Sequence, residues 1–492
     1  MPIAPQFNNS YAHLPDAFRA RVHPTPVARP QLIMLNDGLA GDLGLDAAWL
    51  RSEEGLAMLA GNRLPAGADP IAMGYAGHQF GQWVPRLGDG RALLIGEVID
   101  HNGVRRDIQL KGSGPTPYSR RGDGRSSIGP VVREYLGSEF MHALGIPTTR
   151  ALAAVASGED VLRQKIEPGG ILCRVATSHV RVGTFEFFAR SGRLKEVRQL
   201  ADYVIDRHYP DCAEHDQPYA AMFSEIIKRQ GRLVADWLLV GFIHGVMNTD
   251  NCSVIGETID FGPFGFVDTF HPATVYSSID HGGRYAYNQQ PAIAHWNLAR
   301  LAECLLGLLN DNREQAVEQA NDLLGKFPES FEKHFHSGLA AKIGLSDREE
   351  NVKLALDLMD AMTVGEADMT LVFRGLSFLS SSSADGDQSI RDLFSDPTAF
   401  DAWAARWRQR LQSDGKPEQE RQQAMQKVNP AFILRNHLAQ WAVDAAIDRL
   451  DFGPMKTLHQ VLSRPFDNQP EHEHLSLPPK PEERVVTTFC GT

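Results

Sequence analysis

Up to about residue 200 the apolar positions alternate with polar ones or form short runs between glycines; beyond it they recur at helical spacing. Asp107-Ile-Gln-Leu-Lys111 alternates, which predicts a strand with Ile108 and Leu110 on the core face and Lys111 on the other. Arg86-Leu-Gly88-Asp-Gly90-Arg91 reads as a tight turn ahead of the apolar run Ala92 to Val98, a second strand. A glycine-rich loop, Gly112 to Gly129, then leads to a helix starting near Pro130. Its apolar residues Val132, Leu136, Phe140 and Leu144 fall on one face, and Pro147 stops it. A long amphipathic run from Ala220 to Val246 follows, then irregular residues 262–290, then helices to about Arg464 with loops at 380–387 and 413–420.

This order predicts an α+β chain of two lobes, strand-rich first and helical second. The expected boundaries are an N-terminal extension over 1–72 packed on the core, a strand-rich lobe over 73–200, and a catalytic helical part over 201–295. A helical C-terminal region over 296–464 and an extended tail over 465–492 complete it.

With 492 residues and 42% hydrophobic content the chain can bury a large core. Its 49 basic and 61 acidic side chains give a net charge of −12, which argues against nucleic acid or an anionic membrane as partner and leaves room for a local basic cleft. Five cysteines, Cys173, Cys212, Cys252, Cys304 and Cys490, form no CxxC pair, so neither a disulfide framework nor a zinc site is expected. No apolar run approaches the ~20 residues of a membrane span, and Met1 to Asp16 do not read as a signal peptide. A cytoplasmic location is expected for a bacterial source, with a mitochondrial one open for a eukaryotic source.

The candidate chemistry centres on His244 to Gly262, which carries Asp250-Asn251 and Asp260-Phe261-Gly262. Val254-Ile255 and Thr258-Ile259 predict two short strands around a Gly256-Glu257 turn, a hairpin that folds Asn251 back beside Asp260. Two such oxygen ligands suit Mg²⁺, which takes the rest of its shell from waters and substrate phosphates. Asp451-Phe452-Gly453 is a second copy of the tripeptide, but it follows a helical run where Gly453 reads as a cap.

In chain order the candidates are a glycine turn, a strand lysine, a helix glutamate, an Asp-Asn pair and an Asp-Phe-Gly, the order found in protein kinases. Gly88, Gly90 and Arg91 would approach a nucleotide, Lys111 would hold a phosphate, and Glu134 would fix Lys111, with Glu139 as the alternative. Unlike kinases, the chain sets Asp250 next to Asn251. Arg174 and Arg181 are further cations that converge if the chain bends near Thr177-Ser178 and are surface arginines otherwise. Asp123-Gly124 is either a plain turn or part of a nucleotide-holding loop.

Phe7-Asn-Asn-Ser-Tyr11, Gly77-His-Gln-Phe-Gly-Gln-Trp83, Gln109 to Arg120, Asp123 to Ser126, Thr177 to Glu186, the Asp250 segment and Asn429-Pro430 together resemble the selenoprotein O family over nearly the whole length. The resemblance implies a kinase-like bilobal fold and transfer of AMP from ATP to Ser, Thr or Tyr hydroxyls of proteins, with ATP flipped relative to kinases. It also implies that Lys111, Arg174, Arg181 and Asp123-Gly124 grip phosphates while Gly88, Gly90 and Arg91 complete the nucleotide site. Asn251 and Asp260 would hold Mg²⁺ or Mn²⁺, and Asp250 would serve as the base. UTP as donor, phosphoryl transfer and a non-catalytic nucleotide-binding regulator are the alternatives. Members of that family carry selenocysteine or a redox-active cysteine near the C-terminus, where this chain has Cys490, with a free thiol on the tail as the competing reading.

Overall fold

The computed structural model describes residues 3–489 and contains a sheet and many helices, an α+β chain. Strands β1 (Arg19–Arg21), β2 (Gln31–Leu35), β3 (Ile71–Met73), β6 (Ala92–Ile99), β7 (Arg105–Lys111), β9 (Arg150–Leu162) and β10 (Ile166–Ala176) form one antiparallel sheet in the order β1-β3-β6-β7-β10-β9-β2. A separate hairpin pairs β4 (Gly77–Gln79) with β5 (Gln82–Val84), and the short β8 (Ser126–Ser127) joins β10. The first 72 residues supply β1, β2 and the start of β3, so they are woven into the sheet at both of its edges.

The alternation read in β7 explains the layering. Ile108 and Leu110 enter a core with Leu39, Trp49, Leu50 and Met58 from three short helices, α1 (Asp37–Asp42), α2 (Ala47–Leu50) and α3 (Glu53–Leu59). On the opposite face α4 (Ile128–Ala143) lays Val131, Val132, Tyr135 and Leu136 against Leu94 and Leu172. Lys111 and Gln109 therefore point to the α4 side, where the site lies.

Helices α5 (Val182–Ala189), α6 (Leu194–His208), α7 (Pro218–Leu239) and α8 (Gln290–Leu309) surround the Asp250 segment. Further helices continue to Leu462. The stretch after residue 465 has two 3₁₀ turns, Pro470–Leu475 and Pro481–Glu483, and then returns to the body. There Thr488 bridges to Ser277, and its hydroxyl donates to Pro263 O at 2.6 Å.

Two local expectations differ from the structure. Val254 to Ile259 is a turn rather than a hairpin. Its backbone pairs outward, Ser253 with Arg181 and Thr258 with Thr148, and Trp237 donates to the Thr258 hydroxyl at 2.9 Å. Gly453 is not a cap either: the helix Asn436–Arg449 ends on Leu450 in the left-handed region (φ 51°), and Gly453 opens the next helix with its N–H on Asp451 Oδ1. Among the described residues no helix is long and apolar enough to cross a membrane. Cys173, Cys212, Cys252 and Cys304 are buried free thiols, and Cys490 lies outside the described residues.

Candidate functional site

Lys111 ends β7 and reaches across to α4, where its Nζ donates to Glu134 Oε2 at 2.5 Å. Glu134 is 1% exposed, so the helix face opposite the apolar stripe looks into the cleft and not to solvent. Glu139 is spent elsewhere, accepting from Arg150, Asn36 and the Ala151 N–H. Glycine at 137, one turn beyond Glu134, lets Phe261 and Phe264 pack on α4: a Cβ there would lie 2.9 Å from Phe261 and 2.7 Å from Phe264. That close approach brings Asp260 to Glu134.

Asp260 is where the cations meet. Its Oδ1 accepts from Arg174 at 2.6 Å and Lys111 at 3.3 Å, and its Oδ2 accepts from Arg181 at 2.6 Å. Arg174 also donates to Glu134 Oε1 at 3.0 Å. The strand β10 ends at Ala176, and Arg181 caps α5 after the bend, so two guanidiniums of odd spacing reach one carboxylate. Burial alone would raise Asp260, but Arg181, Arg174 and Lys111 outweigh it and hold the carboxylate well below its usual range. Asp260 also sits at φ 63°, a conformation that costs a non-glycine residue energy and that the three ion pairs hold in place.

Two supporting residues escaped the sequence reading. Gln109 Oε1 accepts from Arg174 Nε at 3.0 Å and Nη2 at 2.5 Å. It sits two positions before Lys111 on the same strand face, a signal that was present. Tyr75 lies 4.5 Å beneath the Arg181 guanidinium and carries no local signal.

Asp250 lies in a 3₁₀ turn, Thr249–Asn251, and burial raises its carboxyl to about 6. Its Oδ2 accepts from Gln79 at 3.2 Å, while Oδ1 has no hydrogen-bond partner. Asn251 donates its amide to Val246 O at 3.0 Å, which leaves the amide oxygen as its acceptor. Asn251 and Asp260 line the same cleft, and no group of three His, Cys, Asp or Glu suited to a metal occurs among the described residues. One carboxylate and one amide oxygen fit a hard ion held mostly by waters and phosphates, not a resident metal in an all-protein cage.

The cleft encloses about 700 Å³. Seven basic side chains line it, Arg91, Lys111, Arg120, Arg125, Arg163, Arg174 and Arg181, against four acidic ones, Asp89, Asp123, Asp250 and Asp260. In a chain of net charge −12 this is a concentrated positive region, suited to a polyphosphate. Gly88 and Gly90 line it too, and both make room for the Tyr118 loop: a Cβ on Gly88 would fall 2.4 Å from the Tyr118 ring. Asp123 and Gly124 lie on the rim, where Arg163 grips Asp123 at 2.9 and 3.1 Å and lowers its pKa. Concavities of about 640 and 800 Å³ elsewhere are each lined by three Lys or Arg side chains, against seven in this cleft.

Glu257, next to the turn, accepts from the Thr177 N–H at 3.2 Å and from its hydroxyl. Burial raises its carboxyl from 4.5 to about 7, so its neutral form supports the fold fully at low pH and that support is lost as pH rises through about 7. Glu257→Gln keeps an acceptor for Thr177 without the charge. Its stability relative to wild type is expected to rise by on the order of 2 kcal/mol between about pH 5 and about pH 8. Urea midpoints at the two pH values check this.

A family model described as Protein adenylyltransferase SelO matches residues 3–463. The chain is 61% identical over 492 residues to a protein nucleotidyltransferase YdiU of Alkalilimnicola ehrlichii, covering 100% of this chain and 99% of the relative. Relatives of the same description from Rhodopseudomonas palustris and a Bradyrhizobium species are each 58% identical and 99% covered, as is this chain in both comparisons.

Proposed function

The chain belongs to the SelO family of protein adenylyltransferases, and from that premise we propose that it moves AMP from ATP onto Ser, Thr or Tyr hydroxyls of proteins. The observation that carries the reading is the meeting of Lys111, Arg174 and Arg181 on Asp260 beside the unpartnered oxygen of Asp250. A kinase needs one lysine at this place; three cations packed deep in the cleft suit phosphates pointing inward, with the α-phosphate left toward the acceptor. The sheet with α4 would form one lobe and the helices from α6 onward the other, as in kinases.

In the reaction the acceptor hydroxyl oxygen forms a bond to the α-phosphorus, and the bond from that phosphorus to the β-bridging oxygen breaks. Pyrophosphate leaves. Asp250 takes the hydroxyl proton, within a buried setting that makes its carboxylate a better base than an exposed one. Arg174, Arg181 and Lys111 hold the departing phosphates and offset their developing charge. Asn251 and Asp260 would hold Mg²⁺ or Mn²⁺, which supplies further charge neutralisation on the phosphates. Gly88, Gly90, Arg91 and Asp123-Gly124 would complete the nucleotide site, with UTP an alternative donor.

Parallel incubations with α-³²P- and γ-³²P-labelled ATP test the reading. Label on protein is expected from the α position alone. Transfer solely from the γ position would mean phosphorylation, and binding of ATP without transfer of either label would mean a regulator.

A further inference from the structure

The hairpin β4–β5 stands apart from the main sheet and is docked on the Asp250 segment. Its strands pair Gly77 with Val84, His78 with Trp83 and Gln79 with Gln82, and Phe80 and Gly81 form the two-residue tip. Both tip residues have positive φ, 50° and 79°, as a tight hairpin of this twist requires. Phenylalanine is a costly choice there, and its ring is held 5.0 Å from Tyr285.

Three successive residues of the hairpin meet three successive residues of the catalytic segment. The His78 N–H donates to the Thr249 hydroxyl at 2.7 Å, the Phe80 N–H to Asn248 Oδ1 at 3.0 Å, and the Gln79 side chain to Asp250 Oδ2 at 3.2 Å. Tyr285 closes the set with its hydroxyl on the same Asn248 oxygen at 2.7 Å. His78 is fixed from behind by Glu186, Nδ1 to Oε1 at 2.6 Å. Gly77 lies flat against the base: a Cβ there would come 2.3 Å from Asp250 Oδ1. Its φ is not positive, so the glycine answers to space and not to backbone conformation.

These contacts divide the labour of one carboxylate. Oδ2 is tethered by an amide donor, and Oδ1, without a hydrogen-bond partner, is buried against Gly77, while Gln79 and Asp250 both line the cleft. A carboxylate on a short side chain can rotate about its last bond; here the amide donor on Oδ2 adds a directional restraint to the packing of Gly77 against Oδ1. From this we infer that Gln79 is a positioning residue for the transfer reaction, fixing the orientation of the Asp250 carboxylate at the cleft that both residues line. The inference rests on the reading of Asp250 as the base.

The full chain is assayed with α-³²P-labelled ATP, counting all protein-bound label in a whole-cell lysate, alongside the ATP dissociation constant by calorimetry and the melting temperature. Gln79→Met keeps length and loses the donor. It is expected to lower kcat roughly 10- to 100-fold, as loss of an orienting partner does elsewhere, with ATP affinity within about twofold of wild type. Gln79→Glu sets one carboxylate against another and is expected to fall below Gln79→Met. Gly77→Ala, which pushes Oδ1 aside directly, is expected to give the same loss of kcat without loss of ATP binding. A merely structural role would move melting temperature and ATP affinity together and would not separate Met from Glu. The inference is overturned if Gln79→Met keeps more than half of the wild-type kcat, or if its loss is matched by an equal loss of ATP affinity. A wild type that transfers no α-label overturns the underlying function instead, so the two failures are told apart.

Discussion

Asp260→Asn is expected to lower AMP transfer at least about a thousandfold, whereas Asp451→Ala is expected to stay near wild type. Asparagine has the shape of aspartate, so the variant removes charge and little else. That charge is the counterweight to Arg174, Arg181 and Lys111, all within 3.3 Å of it. Without it Lys111 and Arg174 keep Glu134 as their carboxylate partner and Arg181 keeps the Asp250 backbone oxygen, and a divalent ion at this place would lose its one charged protein ligand. Several kcal/mol of charge stabilisation would go with it, which is the stated loss at about 1.4 kcal/mol per factor of ten. Asp451 carries the same tripeptide at an exposed turn, where its carboxylate accepts from the Gly453 N–H. Equal losses in both variants, measured as label incorporated per minute, would mean that the wrong Asp-Phe-Gly has been assigned.

The second large effect concerns Asp250→Asn. Its shape and its contact with Gln79 can persist while the proton acceptor is gone. Transfer is expected to fall about 10²- to 10⁴-fold, the usual contribution of a general base, while ATP still binds. Arg181 holds the Asp250 backbone oxygen at 2.7 Å, so the phosphate-gripping side of the site keeps its place in the variant. Isothermal titration with ATP beside the transfer assay separates the two; a variant that loses binding and transfer equally would place Asp250 among the nucleotide ligands and not at the acceptor.

Much of this arrangement was legible in the chain because its signals are local. Alternation in Asp107 to Lys111 set the face of Lys111, and the helical spacing around Glu134 turned that residue away from the apolar stripe. The odd separation of Arg174 and Arg181 left two readings, a bend that makes them converge or surface arginines on a sheet, and the chain bends between them. What could not be read depended on distant partners. Val254 to Ile259 has the composition of a hairpin, yet Thr148, Arg181 and Trp237 compete for its backbone and side chains from tens to a hundred residues away. Tyr75 beneath Arg181 and Gln79 beside Asp250 belong to a hairpin and linker whose docking is a tertiary event. The second Asp-Phe-Gly misled for a different reason: a glycine after a helix suggests a cap, but the left-handed residue is Leu450, and Pro454 beside Gly453 favours starting a new helix.

The hydroxyl of Thr488 on Pro263 O joins positions 225 residues apart, directly after the Asp-Phe-Gly. A ribosome adds residues in order, so the loop that carries Asp260 emerges long before the residue that ties it down. Synthesis thus lays down the Asp-Phe-Gly loop early and supplies the residue that fastens it late.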